Sequence, residues 1–107
     1  MRRGDVVLVA LKGDFGKPRP GIVYQADTFM DHPSIVILPF TSHLETGLTL
    51  RVPVQPTADN GLREPSMVMI DKPHTVVREK VGTVVGRLSS IEMTAVDRAL
   101  ALFLGFG

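Results

Sequence analysis

Only the stretch from Ser89 to Gly105 carries apolar residues at helical spacing, so the rest of the chain has to build its core from strands. Ile91, Ala95, Val96, Ala99, Leu100, Phe103 and Leu104 recur on that spacing. Ser89-Ser90-Ile91-Glu92 fits a capping box, and Gly105 supplies a stop. Upstream, short β-branched runs are cut by Gly and Pro. Strands are expected at Asp5 to Leu11, Gly21 to Gln25, Ser34 to Phe40, Leu48 to Val54, Met67 to Ile70 and Glu79 to Leu88. Ser34 to Phe40 is nearly all apolar, as in a strand buried on both faces. Pro53 marks an edge strand or a bulge. Gly82 and Gly86, flanking Val84 and Val85, suit a strongly bent strand. Thr75-Val76-Val77 and Thr83-Val84-Val85 read as an echo of β-branched composition. The expected fold is mainly β with α: five to seven short strands, curled to remove their edges, with one amphipathic C-terminal helix packed on them.

With 107 residues and no linker or low-complexity tract, residues 1–107 read as one domain. At 44% hydrophobic the chain is too apolar for disorder, yet no apolar run is long enough to span a membrane. The N-terminus lacks the pattern of a secretory signal, so a cytoplasmic protein is expected. There is no cysteine, which excludes disulfides, thiolate zinc sites and a cysteine nucleophile. Net charge is +1, so any polyanion site must be a local cluster of cations.

Several short matches fail on spacing or context. Arg3-Gly4-Asp5 spells an integrin-binding tripeptide on a chain without a secretion signal. Gly13-Asp14-Phe15-Gly16-Lys17 has its glycines too close for a P-loop, with Pro18 where Ser or Thr should follow. His43-Leu44-Glu45 has half of a zinc-deaminase signature whose other half needs cysteine. His32, His43 and His74 lie too far apart for a sequence-local metal motif, so neither metal nor cofactor is expected.

What remains is a set of polar residues where strands should end. Arg19 sits between Pro18 and Pro20, which narrow its backbone and present its guanidinium stiffly. Thr41 and Ser42 follow the apolar run ending at Phe40, and Asp71 follows Met67 to Ile70. A guanidinium, two hydroxyls and a carboxylate suit the binding and rearrangement of a phosphodiester. Each also has a plainer reading. Arg19 could pair with a surface carboxylate, Thr41 and Ser42 could end a strand as turn hydroxyls, and Asp71 could cap the turn before Pro73. His74 reads as a surface or turn histidine. Tyr24 and Phe15 are candidates for stacking on bases.

The ordered set Arg3-Gly4-Asp5-Val6-Val7, Lys17-Pro18-Arg19-Pro20-Gly21-Ile22-Val23, Pro39-Phe40-Thr41-Ser42, Asp71-Lys72-Pro73-His74-Thr75, Gly86-Arg87-Leu88 and Ala99 to Gly105 closely resembles the MazF/PemK toxins. The resemblance spans essentially the whole chain. It implies a small SH3-like barrel of the CcdB/PemK type, usually a homodimer. It also implies a metal-independent endoribonuclease that cuts single-stranded RNA, often mRNA, and is held in check by a cognate antitoxin. Cleavage through the 2′-hydroxyl of the RNA needs no external nucleophile. On this reading Arg19 stabilises charge on phosphorus and donates a proton, Thr41 holds the scissile phosphate, and Asp71 orients a base or accepts a proton. Ser42, His43, Asp14 and Lys17 are further candidates for catalysis or RNA binding.

Two positions depart from the family pattern. The first loop offers only Asp14 where members often carry a His or Glu base, with His43 as a substitute. Met69 stands where some members have Arg. The CcdB gyrase poisons share the expected fold, but their gyrase contact ends in Trp-Gly-Ile, whereas this chain ends Leu104-Gly105-Phe106-Gly107 and has no tryptophan. Gyrase binding is the alternative, and a binding-only relic is a third reading.

Overall fold

Gly4 opens the first strand at φ +93°, a left-handed backbone that favours glycine. Its N–H donates to the Val23 carbonyl, while its own carbonyl accepts from Leu88. Next to it the Asp5 carboxylate is buried, accepting from the Arg2 N–H and from the Arg87 guanidinium, each at 2.8 Å. The Arg-Gly-Asp tripeptide is therefore a clamp that ties the N-terminus to the last strand.

The computed structural model describes residues 1–13, 16–44 and 51–106. The strands are β1 (Asp5–Val9), β2 (Arg19–Val23), β3 (Ser34–Thr41), β4 (Arg51–Val54), β5 (Ser66–Met69), β6 (His74–Val77) and β7 (Val81–Arg87), followed by helix α1 (Ser90–Leu104). All pairings are antiparallel, in the order β4-β5-β3-β2-β1-β7, with β6 pairing β3 off that path. Among the described residues no helix is long and apolar enough to cross a membrane.

Strand β3 organises the molecule. One edge pairs with β2. Along its other edge the partner changes: Ser34 to Ile37 pair with β6, and Phe40 and Thr41 pair with β5. Strand β6 was not expected from the sequence. Thr75-Val76-Val77 belongs to a paired strand rather than to a composition echo. Pro53 lies in β4, at one end of the strand order, as an edge proline should. The expected Leu48 start of β4 lies outside the described residues.

Alternation buries both faces of the central strands. Val6, Ile22, Leu38 and Phe40 join one core cluster with Met93, Val96 and Leu100 of α1. Val7, Val23, Ile35 and Ile37 form a second cluster on the other face. The pairing of β7 with β1 shifts register twice, giving the expected bent strand.

Closure on the β7 side comes from the segment after β4. Asn60, fully buried, accepts through Oδ1 from the Thr57 and Leu62 N–H groups, each at 3.0 Å. Its amide donates to the Gln55 carbonyl at 2.8 Å. The adjacent Asp59 carbonyl accepts from the Arg87 N–H at 2.8 Å. The long loop is thus a bonded wall of the barrel.

The capping box of α1 forms as expected, with the Ser89 hydroxyl accepting from the Glu92 N–H and the Glu92 carboxylate accepting from the Ser89 N–H. Its core stripe differs from the expected one. Met93, Val96 and Leu100 face the sheet, while Ile91 is 82% exposed and Ala95, Phe103 and Leu104 are also exposed. The spacing 93-96-100 is itself helical, and with the cap at Ser89 it is the stripe turned toward the sheet. Ile91 and Leu102 then fall on the opposite side of the helix.

Candidate active site

Where β3 changes partner the sheet opens, and a cleft of about 1050 Å³ lies there. Pro20 and Pro39, from neighbouring strands, are part of its lining. Proline supplies no ladder donor, so it is tolerated where pairing stops.

Arg19 is the first residue of β2, opposite Val9, exposed and lining the cleft. Thr41 ends β3 opposite Met67 and lines the same cleft, as do Ser42 and Lys17. Gly21 pairs with Pro39. Carried two residues further, that register sets Arg19 level with Thr41. Gly21 is needed at this point, because a Cβ there would lie 2.5 Å from Ile37 Cγ2. The Thr41 hydroxyl oxygen accepts from the His43 N–H at 3.1 Å, which leaves its own hydrogen available to a ligand.

Four cleft residues were passed over in the sequence. Lys12, Arg63, Lys72 and His74 line it, together with a single acid, Glu64, among the described residues. Lys72 and His74 sit in the turn into β6 and at its first residue, so they come to the site only through the β6–β3 pairing. The alternation of Thr75-Val76-Val77 after Pro73 was the available signal for that strand. Lys12, Lys17, Arg19, Arg63 and Lys72 make no ion pair among the described residues. On a chain of net charge +1 this concentrates unpaired positive charge in one cleft.

Asp71 lies beside the cleft rather than on its lining, and its carboxylate is engaged by Arg51 at 3.3 and 3.5 Å. His43 is exposed and is not a lining residue. Asp14 and Phe15 lie outside the described residues. Tyr24 does not stack in the cleft. Its hydroxyl donates to Asp97 of α1, and Arg3, also bonded to Asp97, sits 4.8 Å over its ring. Burial first, then the hydrogen bond to Asp97 and its negative charge, push the Tyr24 hydroxyl up to about 12. Among the described residues no three His, Asp or Glu side chains cluster to hold a metal ion.

A sequence profile of the PemK-like, MazF-like toxins of type II toxin–antitoxin systems matches residues 2–104. The chain belongs to this family. It is 42% identical over 106 residues to the probable endoribonuclease MazF of Mycolicibacterium smegmatis, covering 98% of this chain and 97% of that one. The MazF-like fold recurs in the Mycobacterium tuberculosis toxin MazF-mt6, at 25% identity and a TM-score of 0.82, covering 96% of this chain and 98% of that one. It recurs again in MazF of a MazE–MazF crystal structure from Deinococcus radiodurans, at 17% identity and a TM-score of 0.80, covering 100% and 97%. The seven-stranded antiparallel sheet with one C-terminal helix is thus the fold of MazF toxins.

Proposed function

We propose that this toxin is a metal-independent endoribonuclease that cuts single-stranded RNA at short sequences, in the cleft between the ends of β1, β2 and β3. The observation that carries this reading is the set of cations around Arg19 and Thr41 that make no ion pair among the described residues. A phosphodiester chain is the ligand that such a cleft attracts. The M. smegmatis relative carries the endoribonuclease name.

The chemistry follows from what RNA already contains. The 2′-hydroxyl lies beside the phosphorus, so little entropy is lost in bringing the nucleophile to it. Attack places extra negative charge on the phosphoryl oxygens. Arg19, held at the start of a strand and paired with no carboxylate among the described residues, stabilises that charge. The Thr41 hydroxyl donates to a phosphoryl oxygen, and Ser42 and Lys17 hold the chain alongside. Asp71 keeps Arg51 in place at the cleft margin. The products are a 2′,3′-cyclic phosphate and a 5′-hydroxyl.

The protein acts in the cytoplasm as a homodimer, which the apolar stripe Ile91 and Leu102 on the outer side of α1, with Phe106 beyond it, supports. A cognate antitoxin holds it in check, a reading supported by the MazE–MazF pairing in the D. radiodurans structure.

The test is cleavage of a long unstructured RNA by antitoxin-free protein in excess EDTA. Discrete cuts with cyclic phosphate ends are expected. Arg19→Ala should slow them by about 10²–10³-fold, the usual loss for one preorganised donor. Intact RNA with the unaltered protein overturns the reading.

A further inference from the structure

We infer that His74 is the general base of this cleft, taking the proton of the attacking 2′-hydroxyl on its Nε2; the inference rests on the RNA-cutting reading above. His74 begins β6, opposite Ile37, and lines the same cleft as Arg19 and Thr41. Ile37 and Thr41 are an even number of positions apart on β3, so His74 and Thr41 project to the same side of the sheet. A strand position holds the ring more firmly than a loop would.

The ring is also oriented. His74 Nδ1 lies 2.8 Å from the Lys72 carbonyl oxygen. A carbonyl oxygen can only accept, so Nδ1 carries the hydrogen, and the neutral ring keeps its lone pair on Nε2. That is the tautomer a base needs. Strand β3 presents no titratable side chain to it. The charged groups around the cleft, among the described residues, are Lys12, Lys17, Arg19, Arg63, Glu64 and Lys72.

Glu64 is the rival. Among the described residues it is the one carboxylate on the lining; Asp71 lies beside the cleft, engaged with Arg51. A carboxylate is a weak base near neutral pH, whereas imidazole operates close to the optimum for proton transfer. In the step itself, Nε2 takes the 2′-hydroxyl proton and the 2′-oxygen bonds to phosphorus. The bond from phosphorus to the 5′-oxygen then breaks, leaving its electron pair on that oxygen, which takes a proton from water. The imidazolium afterwards returns its proton to solvent.

The experiment is the pH profile of kcat for RNA cleavage by the antitoxin-free protein in EDTA. In the unaltered protein log kcat should rise with unit slope as the pH is raised and then level. His74→Ala should lose about 10²–10⁴-fold in kcat with little change in KM, lose that limb, and regain rate with added imidazole. His74→Asn keeps a donor toward the Lys72 carbonyl but offers no base, and it should be as slow as the Ala variant. Recovery in His74→Asn would make His74 a positioning residue and overturn the proposal. So would a limb that persists in His74→Ala and vanishes in Glu64→Gln. Full-rate cutting by a folded His74→Ala protein overturns the base assignment alone, while absence of cutting by the unaltered protein overturns the RNA-cutting reading beneath it.

Discussion

Gly86 shows how little space separates the wall of the cleft from the strand behind it. A Cβ there would lie 2.3 Å from the Asn60 carbonyl carbon and 2.5 Å from the Asp59 carbonyl oxygen. Both contacts are backbone, so the loop itself would have to move. Gly86→Ala should cost about 1–3 kcal/mol, as overpacking of a tight site usually does. A urea midpoint measures that loss. Because Arg63 and Glu64 follow Asn60 on the same loop, RNA cleavage should fall as well. The sequence marked Gly86 as a bend and Arg19 and Thr41 as site residues from local surroundings alone: flanking prolines, and a hydroxyl after an apolar run. His74 was illegible in the same terms. Nothing within a few residues of it says which strand it will pair beside, and its position in the cleft depends on Ile37, a long way back in the chain.

At the scale of elements, α1 separates what periodicity reveals from what it leaves open. The cap, the helix and its stop were readable because each rests on neighbours within one turn. Ser89→Ala removes the acceptor for the Glu92 N–H and should cost about 1 kcal/mol. For a domain of this size a thermal melt should show a drop of about 4–8 °C. Which apolar stripe faces inward was not readable, since Ile91, Ala95 and Leu102 form a second stripe of similar spacing. Met93, outside the stripe expected from the sequence, lies in the core at 8% exposure. Strand β6 was missed for a related reason: a short β-branched run becomes a strand only when a partner edge is available.

The whole molecule is tied across its ends by Arg3, Tyr24 and Asp97, and this tie titrates. The Tyr24 hydroxyl is held up to about 12 against an ordinary value of 10. Between those two values the unfolded chain has released the proton and the folded one retains it. Stability therefore falls as pH rises through that window, and the contribution is fully present below pH 10. Unfolding free energy measured from pH 9 upward should show this decline, and Tyr24→Phe should lose that component (about one proton's worth of slope). A decline of unchanged slope in Tyr24→Phe would assign the effect to other groups.

Taken alone, the sequence determined the local and the periodic: a β-rich chain ending in one capped helix, an edge proline, a bent glycine strand, and the strand-end candidates Arg19, Thr41 and Ser42, all three of which line the cleft. These rest on backbone propensity and on interactions spanning a few residues. The tertiary structure alone decided that β3 exchanges β6 for β5 along one edge, that the loop after β4 closes against β7, and that five cations with no ion pair among the described residues face one cleft with His74. Those facts depend on pairings between residues far apart in the chain. They are selected by which faces can be buried together, and no local pattern encodes that choice.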